Sequence, residues 1–520
     1  MAAERLIYPL GRQDFESLRE DGCVYVDKTE LVYDLVKYNK YVFLSRPRRF
    51  GKSLLLSTVR YYLEGRKDLF EGLKIMELEK KWTKHPVLHL SLGAIDSSDK
   101  EGLSSSLERQ FKNWELKYDV TVKEKTLSDR FARIISNASA KTGERVIVLI
   151  DEYDNPLINT IHNPEIYEMN RTLLKSVYSN LKDLDNYIKF AMITGVSRFS
   201  NTSVFSGLNN ITDISFHSEY ASICGFTKEE ITEYLWTGIE RYALKNDTGT
   251  QETLEELKRE YDGYHFTEDL VDIYNPYSLL NCLNQSKIDN YWMQSGVPEF
   301  LVRKLKNNSI SFTELFSAQA TPATLSTIDA AFDSPIALFY QTGYLTIKGY
   351  DKQKKKFQLG IPNKEINEGL TYFLLKSYLF SEDMVFSNRL EEMASCIRKG
   401  NPQEFIETLE TLLAPIGYHL HGKMTEVDFE RTMFVIFHML GFHMHSQLTT
   451  SFGRIDLTVE TKDFVYLIEI KLDGSAQDAL DQINRKDYAL QWKHSERKVF
   501  KIGISFSSAK RNIDSFLISE

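Results

Sequence analysis

At 520 residues the chain is too long for one hydrophobic core, and two to four domains are expected. A hydrophobic share of 42% beside 26% charged residues is ordinary for a globular protein. The formal net charge of −9 excludes an overall basic footprint for nucleic acid and leaves only two local stripes, Arg46, Arg48 and Arg49 in one and Lys352, Lys354, Lys355 and Lys356 in the other. Such a charge run is more often a solvated face than a binding surface. The cysteines, Cys23, Cys224, Cys282 and Cys396, form no C-x-x-C pair. That argues against a disulfide scaffold or a zinc knuckle and fits a reducing compartment. With no apolar run long enough to cross a bilayer and no signal-like start in MAAERLIYPLGRQ, a cytoplasmic location without a membrane partner is expected.

In chain order, apolar strand-like runs alternate with amphipathic stretches through the first half: YVFLS from Tyr41, PVLHLSL from Pro86, RVIVLID from Arg145 and IKFAMIT from Ile188. LLLSTVRYYLEG, GLSSSLERQFKNWELKY and EMNRTLLKSVYSNLKDL lie between them with helical period, the α/β pattern of a parallel sheet. Near Phe226 the texture changes, and Thr227 with Glu230 at capping-box spacing opens a helix. Helices are expected from there to about Ala330, as in a lid subdomain. FYQTGYLTIKGYDKQKKKFQLGIPN reads as a hairpin, either the wing of a winged helix or a plain structural one. Helices resume to about Ile416, followed by a helix from Phe429 to Leu440, a hairpin from Arg454 to Leu472, a helix from Gln477 to Trp492 and a final strand, KVFKIGISF. The expected regions are thus a parallel-sheet α/β domain 1–225, a helical lid and possible wing 226–365, a helical connection 366–415 and a last α/β domain 416–520.

Gly51-Lys52-Ser53 falls at the junction of a strand and a helix, where backbone N–H groups and the helix dipole favour an anion. There the Lys52 ammonium would reach the β- and γ-phosphates of ATP and the Ser53 hydroxyl would ligate Mg²⁺. Arg46 stands where the first glycine of the full signature belongs, and G-K-S alone also occurs in ordinary turns. The strand RVIVLID supplies the second half of the argument by ending in Asp151-Glu152. The first acid would hold Mg²⁺ and the second would polarise the attacking water. FAMITGVSRFS then offers Thr194 as a γ-phosphate sensor and Arg198 as a charge-neutralising group, in cis or from a neighbouring copy. A homo-oligomer through the ATPase domain is therefore a partner expectation. A surface arginine is the competing reading of Arg198.

The segments DFESLREDGCVYVDKTELVYDL, FLSRPRRFGKSLLLSTVRYYLEG, VIVLIDEYDNPL and TGVSRFSNTSVFSGLNN, with YDGYHF and YNPYSLLN further on, resemble the AAA-ATPase-like family of bacteria and archaea over roughly Arg5 to Asn281. The resemblance implies an ATP-binding loop in the S-R-P-R-R-F-G-K-S form, with Arg48, Arg49 and Phe50 beside Gly51, Lys52 and Ser53 at the nucleotide.

The other end carries a second cluster. With the tight turn of GRIDLTVETKDFVYLIEIKL at Lys462-Asp463, Asp456 falls opposite Glu469, and Lys471 points to the same face. Two carboxylates there suit a hard divalent cation, Mg²⁺ or Mn²⁺, while the lysine orients a nucleophile. A solvated salt bridge at a strand end is the bland alternative. This pattern resembles the PD-(D/E)XK nuclease superfamily, covering about Met424 to Ser507, with Asp456, Glu469 and Lys471 matching its core. Gln482 and Tyr488 resemble the Q…Y element of its RecB-like members, and Glu426 matches the additional acid, with Glu430 as the fallback. Ile455 replaces the motif's proline. His443 and His445, near the expected helix end, read as structural. The function expected is ATP-dependent or ATP-regulated DNA cleavage; the alternative is a signalling ATPase whose last domain binds nucleic acid without cutting.

Overall fold

The computed structural model describes residues 6–97, 99–122, 124–198, 210–293, 301, 315–325, 335–379, 384–414, 433, 436, 443–450, 453–493 and 495–520. The chain divides into two compact units, one of residues 1–295 with 318–366 and the other of 296–317 with 367–520.

The first unit is built on a parallel sheet. Its strands are β1 (Tyr41–Ser45), β2 (Val87–Ser91), β3 (Val146–Asp151), β4 (Ile188–Gly195) and the short β5 (Thr212–Asp213), in the order β2-β3-β4-β1-β5. Four of these are the strands expected from the sequence, because a sheet covered on both faces needs near-continuous apolar runs. β1 and β3 are buried along their whole length. Residue pairs Ser45↔Gly195 and Ile150↔Ile193 bring the carboxyl ends of β1, β3 and β4 together, where ligands of open α/β sheets bind. The helix Lys52–Leu63 follows β1 directly and packs on β2, β3 and β4.

After the sheet, the expected capping box is formed: Thr227 accepts from the Glu230 N–H and Glu230 caps Thr227 in return. Helices Lys228–Tyr234, Trp236–Lys245, Thr250–Tyr261 and Pro276–Gln285 close around Ile239, Leu257, Tyr261 and Leu283. The helical expectation to Ala330 is corrected at two places. Residues 264–274 form a non-helical turn closed by the bridge Tyr264↔Ile273, with Tyr274 bridged to Phe226, and β6 (Gln319–Ala320) pairs with a hairpin. That hairpin, β7 (Thr346–Asp351) and β8 (Lys356–Gly360), is the one expected, with Lys352, Lys354 and Lys355 exposed in its turn.

The second unit has helices Met384–Lys399 and Pro402–Leu413 and a mixed sheet. Its strands are β9 (His443–Thr450), β10 (Gly453–Glu460), β11 (Phe464–Leu472), β12 (Lys498–Ser507) and β13 (Asn512–Ser519), ordered β13-β12-β11-β10-β9. The helix Ala476–Arg485 crosses from β11 to its parallel neighbour β12. Two edge strands, β9 and β13, go beyond the sequence expectation, and β9 moves His443 and His445 from a helix end into a strand. Of the helix expected over Phe429–Leu440, only Met433 and Ile436 are among the described residues; both are helical and buried. The helix expected to Trp492 breaks at Asp487, whose φ is 44°, and continues as a tighter turn over Tyr488–Trp492. Among the described residues no helix is long and apolar enough to cross a membrane.

Candidate functional site

Each unit carries its own centre. In the first, the loop from Arg46 to Gly51 turns β1 into the helix Lys52–Leu63. Gly51 caps that helix at φ 94°, a conformation that disfavours any side chain. Lys52 Nζ donates to the carbonyls of Arg46 and Pro47, 2.9 Å each, and so bridges the loop it follows. Burial pushes its pKa down, opposed by the charges of Asp151, Asp154 and Glu152.

Asp151, at the end of β3, accepts from Thr194 Oγ1 at 2.6 Å and from the Glu152 N–H at 3.0 Å. Thr194 is thus placed as a partner of Asp151, fully buried on β4. Glu152 sits in the left-handed region at φ 51° with its side chain over Gly93, where a Cβ would fall 1.9 Å from Oε2. A residue held at such φ is a site of local strain. Burial, and then the charge of Asp151, raise the pKa of its carboxyl.

Arg48, Arg49, Phe50, Gly51, Lys52, Ser53 and Glu152 line one cleft of about 790 Å³, a volume within the range of small-molecule sites. Arg198 is not among its lining residues: it pairs with Asp213 and lies over the Phe216 ring, 4.5 Å from the centroid. The reading of Arg46 as part of a basic surface stripe is corrected. Its guanidinium is 1% exposed, donates to the carbonyls of Ser45, Ser215 and Tyr220, and faces the Phe266 ring at 4.1 Å.

The loop's departure from a glycine-rich sequence has a structural reason. Phe50 packs edge-on against Tyr264 and Phe266, and Arg49 stacks over Tyr277 at 3.9 Å. The segments YDGYHF and YNPYSLLN therefore form an aromatic seat for the loop Arg46–Gly51. Sequence reasoning missed this, and it missed Asp154, which lines the cleft and accepts from the N–H groups of Val196 (3.0 Å) and Ser197 (2.6 Å). Gly195 leaves room for it, since a Cβ there would lie 2.6 Å from Asp154 Oδ1. The signal available was the second aspartate in I-D-E-Y-D, three residues after Asp151.

In the second unit, β10 and β11 pair from Glu460↔Val465 to Leu457↔Ile468, the register that a turn at Lys462-Asp463 requires. One step further, carboxylates take over the ladder. The Asp456 N–H donates to Glu469 Oε2 at 3.4 Å, and the Ile470 N–H donates to Asp456 Oδ2 at 2.9 Å. Lys471 Nζ donates to Glu469 Oε1 at 3.3 Å and to Gln482 Oε1 at 2.8 Å, while Gln482 Nε2 donates to Glu469 Oε1. Asp456, Glu469, Lys471 and Gln482 thus form one hydrogen-bonded cluster. Glu469 is 1% exposed, and burial, with the Asp456 charge second, pushes its pKa up to about 7. Tyr488 is buried behind the helix; desolvation raises its hydroxyl pKa, and a hydrogen bond with Gln482 acts against that. Glu426 and Glu430 lie outside the described residues.

Gly503 sets the distance of that helix. It pairs with Glu469 across β11–β12, and a Cβ on it would meet Ala476 O at 2.3 Å and Leu480 N at 2.7 Å. Both are backbone atoms, so the helix carrying Gln482 would have to move. Gly503→Ala is expected to cost about 1–3 kcal/mol, the usual range for overpacking. Hydrogen exchange should show it as faster exchange of the β11 and β12 amides; unchanged protection would mean that the helix has slack.

A loop-to-helix turn at the carboxyl end of a parallel sheet and a carboxylate-carboxylate-lysine cluster on a mixed sheet make a two-part protein with one candidate centre in each unit. Comparison with known families agrees with that division. Residues 9–205 match the family model described as a predicted AAA-ATPase, and residues 424–516 match that of the PD-(D/E)XK nuclease superfamily. The chain is similar to a protein of Azotobacter chroococcum mcd 1 named as an uncharacterized protein in the vnfD 5′ region, at 33% identity over 520 residues and 98% of each chain. The chain belongs to this AAA-ATPase-like family with a C-terminal PD-(D/E)XK nuclease superfamily domain.

Proposed function

We propose that the chain couples ATP binding and hydrolysis in its first unit to metal-dependent cleavage of DNA in its second. The observation that carries this reading is the interruption of the β10–β11 ladder at Asp456 and Glu469, with Lys471 and Gln482 gathered onto the same carboxylate.

The donor set fits a hard divalent cation, Mg²⁺ or Mn²⁺: its ligands would be the carboxylate oxygens of Asp456 and Glu469, which meet at the end of the paired β10–β11 ladder. When bound, such an ion supplies activation of water and neutralisation of the phosphate. Gln482 orients both Glu469 and Lys471, and Lys471 holds its ammonium at the carboxylates, where it would position the attacking water. At the other centre, Lys52 would meet the β- and γ-phosphates, Ser53 and Asp151 would hold Mg²⁺, and Glu152 would orient the attacking water.

The deciding assay is purified protein with Mg²⁺ or Mn²⁺, with and without ATP, on single-stranded, duplex and branched DNA. Binding without cutting under all these conditions would favour the alternative of a regulatory ATPase with a nucleic-acid-binding domain. Within the ATPase half, Glu152→Gln is expected to bind ATP as tightly as the parent and to lose on the order of 10² or more in hydrolysis rate, the usual contribution of a positioned general base. Hydrolysis at the parent rate would place the base elsewhere.

A further inference from the structure

The cations in the wall of the nucleotide cleft, among the described residues, are Arg12, Lys28, Arg48, Arg49 and Lys52. Most are already engaged. Arg12 pairs with Asp21, and Lys28 is paired with Glu230 at 2.5 Å and nearly buried. Arg49 lies flat on Tyr277, its Nη1 buried. Lys52 is the loop lysine. Arg198, the guanidinium that the sequence offered for this task, is held by Asp213 outside the cleft wall.

Arg48 differs from all of these. Its side chain is exposed in the cleft and makes no ion pair or ring contact among the described residues. Its backbone, by contrast, is fixed: its carbonyl accepts from Trp292 Nε1 at 3.2 Å, and the loop is seated on either side through Arg46 and Phe50. The Glu152 carboxyl lines the same cleft and is within electrostatic reach of the Arg48 guanidinium.

We infer that Arg48, and not Arg198, is the catalytic arginine of this ATPase, acting in cis on the transferred phosphoryl group. The inference rests on the proposed ATP hydrolysis. In that step the water oxygen forms a bond to the γ-phosphorus and a water proton passes to Glu152. The bond from γ-phosphorus to the β,γ-bridging oxygen breaks, and its electron pair stays on ADP. Charge grows on that bridging oxygen and on the γ-oxygens, and a guanidinium on the loop that cradles them neutralises it without leaving its own chain.

The test is steady-state hydrolysis and ATP binding by calorimetry on the full chain, for the parent, Arg48→Ala, Arg48→Lys and Arg198→Lys. Arg48→Ala is expected to lose on the order of 10³ in kcat, with ATP affinity changed less than about tenfold, and retained binding shows that the variant is folded. Arg48→Lys should recover part of the rate. If kcat survives Arg48→Ala, the assignment is overturned, and a collapse in Arg198→Lys would then return the role to Arg198. A parent protein that binds ATP without hydrolysing it overturns the proposed function and this inference together, a result distinguishable from an active parent indifferent to Arg48.

Discussion

Alanine at Asp456, Glu469 or Lys471 is expected to remove phosphodiester cleavage while leaving ATP hydrolysis largely intact. The three side chains meet through hydrogen bonds within one sheet, and none of them belongs to the unit that contains Lys52 and Asp151. Removing one charge-stabilising group from such a site costs on the order of 10²–10³ in rate. The two acids differ from the lysine in kind. Without Asp456 or Glu469 the oxygen donors are halved, so metal binding should go with activity. Lys471→Ala keeps both carboxylates and should keep the metal while losing the rate. Isothermal titration with Mn²⁺ alongside a cleavage assay separates these cases. Cleavage that persists in Asp456→Ala, once contaminating nucleases are excluded, would mean that this hairpin is not the active site.

Lys52→Ala is expected to abolish measurable ATP binding. The ammonium donates to two loop carbonyls at 2.9 Å, so it stands at the point where the loop closes and is poised to exchange those acceptors for phosphate oxygens. Hydrogen bonds to charged groups contribute about 1.5–3 kcal/mol each, so losing two of them raises Kd by at least about 10²-fold. Thermal stabilisation offers a second readout. ATP at 100 times its parent Kd stabilises the folded state by about 2.7 kcal/mol, and the alanine variant should show almost none of that shift. Undiminished affinity would sink the assignment of this loop to phosphate.

Much of the scaffold could be read without coordinates, and the reasons are local. β1 and β3 are buried along their whole length and β4 nearly so, because a parallel sheet is covered on both faces, and such apolar runs stand out from amphipathic helices. The pairing of β10 with β11 follows from one turn position, since a hairpin's register propagates residue by residue. β9 and β13 were not legible: each is an edge strand of mixed polarity, with His443, His445 and Gln447 in one and Asp514 and Ser515 in the other. The burial of Arg46, the retention of Arg198 by Asp213 and the closeness that Gly503 permits are all tertiary facts. No spacing along the chain encodes them, because each depends on a partner from a distant segment.

The aromatic seat of the loop Arg46–Gly51 also bears on the order of events during synthesis. A ribosome delivers Arg46 to Ser53 long before it delivers Tyr264, Phe266 and Tyr277, the rings on which Phe50, Arg46 and Arg49 rest. Until those rings emerge, two guanidinium groups and a phenylalanine have no place to be buried, and the loop lacks the support that shapes it. The nascent chain should therefore pass through a long interval in which its sheet is complete and its affinity for ATP is still absent. The capacity to take up fuel would then be acquired late, as a mark that the helical region has been made and folded.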